Sequence, residues 1–283
     1  MIPDKIHFAA IMSNHVAEIF TTPMPGLGPD DILLEMRKIN ICTTDYQHWM
    51  GLRDHQGFPM ADGHEYAGVI AAKGSDVAGR FELGRQVAVM DASCGICPAC
   101  KRGFTSDCTG LAARGRCKDG FLGGKKFADY AVIKQSEAVL VSNDIPAEQA
   151  GFLEPVATVV QCMKKSRIKP VEDVMVVGAG TMGLVNAQVA KAWGARVIIS
   201  DIDPKKIAQA KRMGIADVVD ARSDDPVKKV MELTDGKGAD CVIAAVGSSL
   251  AYKQGYDTLR FKLCYSIHFN GSYFVYIYLC QNN

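Results

Sequence analysis

Cys94, Cys97, Cys100 and Cys108 stand at C-x2-C-x2-C-x7-C spacing. Four thiolates this close can complete a tetrahedron around one zinc ion and leave no position open for chemistry. Such a site clips a loop together and contributes folding energy. Two other readings compete. A bacterial iron–sulfur run opens in the same way but continues x3-C-P, which this one does not. Disulfides need an oxidising compartment. The other six cysteines, Cys42, Cys117, Cys162, Cys241, Cys264 and Cys280, are scattered singly. A cluster plus singles reads as metal binding among reduced thiols. Met1-Ile2-Pro3-Asp4-Lys5 has neither the basic start nor the apolar core of an export signal, so a cytoplasmic protein is expected.

A second set is dispersed: Cys42, His64-Glu65 and Glu154. Catalytic zinc takes three protein ligands of this chemical kind and keeps a fourth position for water or substrate. Each residue alone has a plainer reading. Cys42 suits a buried free thiol, and His64 a hydrogen-bonded core histidine. Glu154 precedes Pro155 at a helix start, where the dipole favours a carboxylate.

A third set is Gly178-Ala179-Gly180-Thr181-Met182-Gly183, with Asp201 further on. G-x-G-x-x-G arises often by chance. Here an apolar run, Val174 to Val177, precedes it, a helical run follows it, and Asp201 ends the next strand-like run. The first glycine makes a tight turn, the second lets a pyrophosphate approach the backbone, and the third lets helix and strand pack closely. The helix N-terminus offers unpaired N–H groups to the phosphates. Asp201 would accept hydrogen bonds from ribose hydroxyls and repel a 2′-phosphate, which favours NAD over NADP, although Lys205 and Lys206 lie nearby. The plainer reading is a glycine-rich turn with Asp201 as a solvated acid.

The elements that must position these residues change in kind near residue 145. Before it, short β-forming runs (Ile32 to Leu34, Tyr66 to Ala72, Gln86 to Met90, Tyr130 to Ile133) alternate with Gly and Pro turns, which predicts a compact, largely β domain. After it, strands at Val174–Val177, Arg196–Ser200, Val218–Val219 and Asp240–Ala245 alternate with helices starting near Thr181, Pro204 and Asp225. That alternation predicts βαβ units on a parallel sheet. The 283 residues suffice for two domains, and a net charge of +1 gives no electrostatic reason to expect nucleic acid or an anionic membrane as partner. No apolar run approaches the roughly 18 residues of a membrane span.

Several motifs in one order resemble the zinc-containing medium-chain alcohol dehydrogenase family. They are Cys42-Thr43-Thr44-Asp45, Gly63-His64-Glu65-Tyr66-Ala67-Gly68 with Gly74 and Val77, Gly84 to Val89 leading into the four-cysteine lobe, Phe127 to Tyr130, and Leu153-Glu154-Pro155. The last is most similar to the sorbitol and polyol dehydrogenase branch. The resemblance runs from about residue 20 to about residue 255. It implies an α/β protein: a GroES-like, mainly β catalytic domain over residues 1–153, then a Rossmann-type doubly wound domain over 154–260. It also implies a catalytic zinc on Cys42 and His64, with Glu65 or Glu154 as third ligand, and a structural zinc on the four cysteines. Asp45 would orient His64, and Thr44 would take the substrate hydroxyl proton. Many relatives carry the next proton carrier five residues after the zinc cysteine; here that residue is Gln47, and His48 stands one later. His7, His15, His55 and His268 are read as structural or surface residues.

The resemblance stops before the end. Residues 261–283, rich in Tyr, Phe and Cys, lack the Gly-Gly turn and the returning segment of relatives, so the Rossmann domain is read as incomplete and the tail as atypical. Tyr273 to Leu279 is expected to cover the exposed sheet edge as a makeshift strand. The implied activity is hydride transfer from a secondary alcohol or polyol to NAD. The alternatives are the same reaction on a 3-hydroxy amino acid such as threonine, or zinc and nucleotide binding without turnover. Relatives are homo-oligomers, and this chain is expected to lack some of their interface strands.

Overall fold

The computed structural model describes residues 2–90, 93–94, 96–112, 119–264, 267–269, 273–275 and 278–279. Two compact units result, Met1–Glu154 and Pro155–Asn283.

The first unit is built from β-forming runs that bury one face. Strands β1 (Lys5–Ser13) and β2 (Val16–Pro23) pair antiparallel. Strands β3 (Asp31–Ile39), β4 (Tyr66–Lys73), β5 (Gln86–Val89), β6 (Tyr130–Lys134) and β7 (Ala138–Leu140) form a five-stranded antiparallel sheet in the order β6-β3-β4-β5-β7. Ile32, Leu34, Tyr66, Ile70, Phe81, Val87 and Ile133 fill its core. Helix α1 (Thr43–Trp49) lies between β3 and β4 in sequence, so the sheet's β3–β4 pairing brings its start near the start of β4. Short helices α2 (Pro98–Lys101) and α3 (Thr109–Ala112) belong to the cysteine lobe, and α4 (Ala147–Ala150) precedes the longer α5 (Leu153–Ser166).

The second unit carries a six-stranded sheet in the order β10-β9-β8-β11-β12-β15. Its strands are β8 (Asp173–Val177), β9 (Arg196–Asp201), β10 (Asp217–Asp220), β11 (Ala239–Ala244), β12 (Leu259–Cys264) and β15 (Tyr278–Leu279). All pairings are parallel except that of β15 with β12. Helices α6 (Thr181–Ala192), α7 (Pro204–Arg212), α8 (Pro226–Leu233) and α9 (Ser249–Asp257) connect the strands. Both faces of the sheet carry apolar clusters, which is why β8 from Val174 and β11 from Cys241 read as continuous apolar runs instead of alternating ones. Asp203, Asp225 and Ser248 cap α7, α8 and α9, and Pro204 and Pro226 open two of them, so the sequence sets these helix starts locally.

β12 crosses residue 260, where the sequence reading ended the nucleotide domain, and adds a fifth parallel strand. Arg260 and Lys262 interrupt its apolar pattern, which hid it. Of the tail segment expected at the sheet edge, Tyr278–Leu279 pairs there with β12, whereas Tyr273–Val275 (β14) pairs antiparallel with Ile267–Phe269 (β13) in a separate two-stranded sheet. Cys117 and Cys280 lie outside the described residues.

Candidate metal centres and nucleotide site

In the cysteine lobe the four sulfurs of Cys94, Cys97, Cys100 and Cys108 lie within 4.8 Å of one another. A tetrahedron with Zn–S bonds of about 2.3 Å has edges of about 3.8 Å. The Cys94–Cys100 and Cys97–Cys100 sulfur separations of 3.9 and 3.4 Å match that edge and are far from a disulfide bond. None of the four forms a disulfide. Local backbone turns aim N–H groups at the sulfurs: Cys94 N–H at Cys108 (3.2 Å), Cys97 N–H at Cys94 (3.4 Å) and Cys100 N–H at Cys97 (3.5 Å). The Cys100 and Thr109 amides hold the Cys97 thiol down at about 5, in its ligating, thiolate form. These residues fit a zinc ion.

The second centre is assembled from the start of α1 and the approach to β4. Cys42 caps α1 in an extended conformation, and its N–H donates to Asp45 Oδ2 at 2.8 Å, which fixes where its sulfur points. The other oxygen of Asp45 lies 3.9 Å from His64 Nδ1, so one carboxylate orients both residues. The Cys42 sulfur, a His64 ring nitrogen and a Glu65 carboxylate oxygen lie within 4.8 Å of one another. Glu65 is buried. Burial alone would lower the His64 pKa. The Cys42 sulfur hydrogen bond and the negative charges of Asp45, Cys42 and Glu154 outweigh it and push the pKa up to about 10. An imidazole surrounded by anions in this way is a cation site, and a sulfur, nitrogen and oxygen donor set with three protein ligands fits zinc with a fourth position open. Burial raises the Asp45 carboxyl, with the His64 charge opposing it.

Glu154, in the first turn of α5, acts on His64 through its charge but is outside the three-residue group. Thr44 Oγ1 lies 3.5 Å from His64 Nε2, beside the centre. His48 follows Thr44 by one helical turn on the same face of α1. Its ring is buried against Phe58, with centroids 4.8 Å apart, and burial holds its pKa below the ordinary imidazole value.

The glycine turn links β8 to α6. Gly178 has φ +100°, and a Cβ there would meet Val246 at 2.3 Å. A Cβ on Gly183 would lie 1.8 Å from the Gly178 carbonyl oxygen, so strand and helix pack without room for a methyl group. Gly180 is different: it caps α6 and its Cβ position is open, with nothing within 4 Å. No side chain caps this helix, so its first N–H groups are left for a phosphate. Thr181 and Met182 occupy the first turn beside it. Asp201, buried at the end of β9, accepts from Ala179 N–H (2.6 Å) and Asp203 N–H (2.8 Å). A carboxylate has about four acceptor positions, so capacity remains for ribose hydroxyls. The turn fits a dinucleotide.

One group of residues escaped the sequence reading. Asp220 and Arg222 pair at the end of β10, next to the end of β9. No motif marks them, and only the strand register brings them near Asp201.

A dinucleotide turn in one unit and a three-ligand metal group in the other define a zinc-dependent, nicotinamide-linked oxidoreductase. Comparison with known proteins agrees. The profile of the alcohol dehydrogenase GroES-like domain matches residues 28–143, and that of the zinc-binding dehydrogenases matches residues 181–267. Sorbitol dehydrogenase of Bacillus subtilis strain 168 is 27% identical over 92% of this chain and 73% of its own length. L-threonine 3-dehydrogenase of Chelativorans sp. strain BNC1 is 32% identical over 84% of this chain and 69% of its own. The structure of a zinc-binding dehydrogenase from Sinorhizobium meliloti 1021 bound to NADP superimposes with a TM-score of 0.78 at 26% identity, covering 91% of this chain and 75% of that one. The chain belongs to the zinc-containing medium-chain alcohol dehydrogenase family, and its substrate is a small-molecule alcohol. No helix among the described residues is long and apolar enough to cross a membrane.

Proposed function

We propose that this chain oxidises a secondary alcohol of the polyol class with NAD as acceptor. The grouping of Cys42, His64 and Glu65 within 4.8 Å carries the reading. These three are the protein ligands of the catalytic zinc, with Glu154 the acid available to exchange for Glu65. Bound there, zinc supplies a Lewis acid that acidifies an alcohol hydroxyl, and the dinucleotide supplies the hydride acceptor. Turnover would convert the secondary alcohol to a ketone, with its hydride and hydroxyl proton accounted for as NADH and H⁺.

The chain's own residues manage position and proton. Asp45 keeps Cys42 and His64 in register through its two oxygens. Thr44, beside His64, takes the hydroxyl proton, and His48 is the next titratable group one turn along the same helix. Gly178, Gly180 and Gly183 shape the pyrophosphate seat, Thr181 and Met182 open the helix above it, and Asp201 holds the ribose. The negative charge of Asp201 selects NAD over NADP. Cys94, Cys97, Cys100 and Cys108 hold the structural zinc, which suits a reducing, cytoplasmic setting.

NADH formation on a panel of polyols and L-threonine tests this. Turnover on polyols with NAD supports the reading. Turnover confined to threonine supports the second one, favoured by the 32% identity to a threonine dehydrogenase. Cofactor binding without turnover on any alcohol contradicts both.

A further inference from the structure

Asp201 sits in a pair of neighbouring strand ends. In the parallel register of β9 and β10, Asp201 stands beside Asp220, and Ala221 N–H donates to the Asp201 carbonyl at 3.0 Å. Adjacent strands are about 4.8 Å apart, so residues 220–222 rim the place where the ribose of a dinucleotide meets Asp201. The only guanidinium on this rim among residues 217–222 is Arg222. A guanidinium is the group that recognises a phosphate in two-point fashion.

Arg222 is not left free for that task. Its Nε donates to Asp220 Oδ1 at 2.9 Å and its Nη2 to Oδ2 at 2.6 Å. Its backbone N–H also donates to Asp220 Oδ1 at 3.1 Å. The carboxylate therefore closes a bidentate pair with a residue two positions along its own chain, and the turn that follows is tied back to the Asp220 carbonyl by Ser223 and Asp224 N–H groups at 3.1 and 2.9 Å. The pair holds the Asp220 carboxyl down at about 2, with Arg222 as the main cause, so it stays ionised throughout the working range. Arg222 remains half exposed, so competition from a phosphate is possible in space and is opposed by the carboxylate.

We infer that Asp220 is a specificity-determining residue: by chelating Arg222 it withholds the guanidinium from the 2′-phosphate of NADP and reinforces the choice of NAD. The inference rests on the reading of Asp201 as the ribose-binding residue. It gives Arg222 a latent role that removal of one neighbouring charge releases.

The test is fluorescence titration of NADH and NADPH against purified wild type, Asp220→Asn, Arg222→Ala and the double variant. Thermal melts check that each is folded. Asn keeps an acceptor for the Arg222 N–H, so the turn is retained. In Asp220→Asn the NADPH dissociation constant falls at least tenfold while that for NADH changes less than threefold. The double variant loses this gain, and Arg222→Ala alone binds NADPH no better than wild type. Unchanged NADPH affinity in folded Asp220→Asn overturns the inference, as does a gain that survives in the double variant. A wild type that already prefers NADPH, or binds neither nucleotide, overturns the underlying reading of Asp201 instead.

Discussion

The glycine turn offers a paired perturbation whose two halves must behave differently. A methyl group on Gly183 would lie 1.8 Å from the Gly178 carbonyl oxygen and 2.9 Å from its carbon, inside the packed junction of β8 and α6. To restore ordinary contact the helix must move by more than an ångström. Overpacking of this kind costs about 3 kcal/mol, and a domain of this size loses about 4 °C of melting temperature per kcal/mol. Gly183→Ala is therefore expected to melt about 12 °C lower. A methyl group on Gly180 meets nothing within 4 Å, and the backbone there is not left-handed, so the fold tolerates it. The change costs about 0.5 kcal/mol as a poorer helix cap. It does fill the open space before the N-terminus of α6, where a pyrophosphate must come close to the backbone. Gly180→Ala is expected to melt within about 2 °C of wild type and to bind NADH at least about tenfold more weakly, or 1.4 kcal/mol. Melting curves without nucleotide and fluorescence titration with NADH read the two effects. Wild-type melting in Gly183→Ala, or wild-type NADH affinity in Gly180→Ala, refutes the reasoning.

Three further outcomes follow from the same geometry. Val171 has φ +64° and is 89% exposed, so its left-handed backbone is strained with no packing to compensate. Relief of about 1–2 kcal/mol, less about 0.5–1 kcal/mol for glycine's added freedom in the unfolded chain, predicts a Val171→Gly variant that is modestly more stable by calorimetry. Cys108→Ser opens the four-sulfur site: the protein should bind one zinc fewer and melt markedly lower, while retaining the zinc at Cys42. In the metal-free protein, the His64 pKa of about 10 lies above its ordinary 6.5. Its contribution to stability is therefore complete below 6.5 and is lost as pH rises through 10. Zinc must displace that proton, so zinc affinity at this centre should climb with pH across the same window, with proton release on binding; flat affinity by calorimetry would contradict the assignment.

Much of the site can be read from residues alone because its chemistry imposes spacing. The four-cysteine lobe must place sulfurs on one short loop, and the glycine turn must join a strand to a helix with Asp201 one strand further on. Neither arrangement tolerates rearrangement in sequence. The Cys42 centre is harder, since its residues come from separate elements and converge only through β3–β4 pairing. The sequence left Glu65 and Glu154 as equal candidates; the structure places Glu65 in the group and Glu154 at its electrostatic margin. β12 was hidden because Arg260 and Lys262 break the apolar run expected of a buried parallel strand. The Asp220–Arg222 pair had no signal at all, since its meaning depends on register between β9 and β10.

Zinc content per chain, measured by elemental mass spectrometry on wild type and Cys42→Ser purified side by side, tests the central claim most directly. About two zinc ions in wild type and about one in the variant are predicted, with NADH formation lost in the variant. One zinc in wild type, equal zinc in both proteins, or full activity in Cys42→Ser would contradict a catalytic zinc on Cys42, His64 and Glu65.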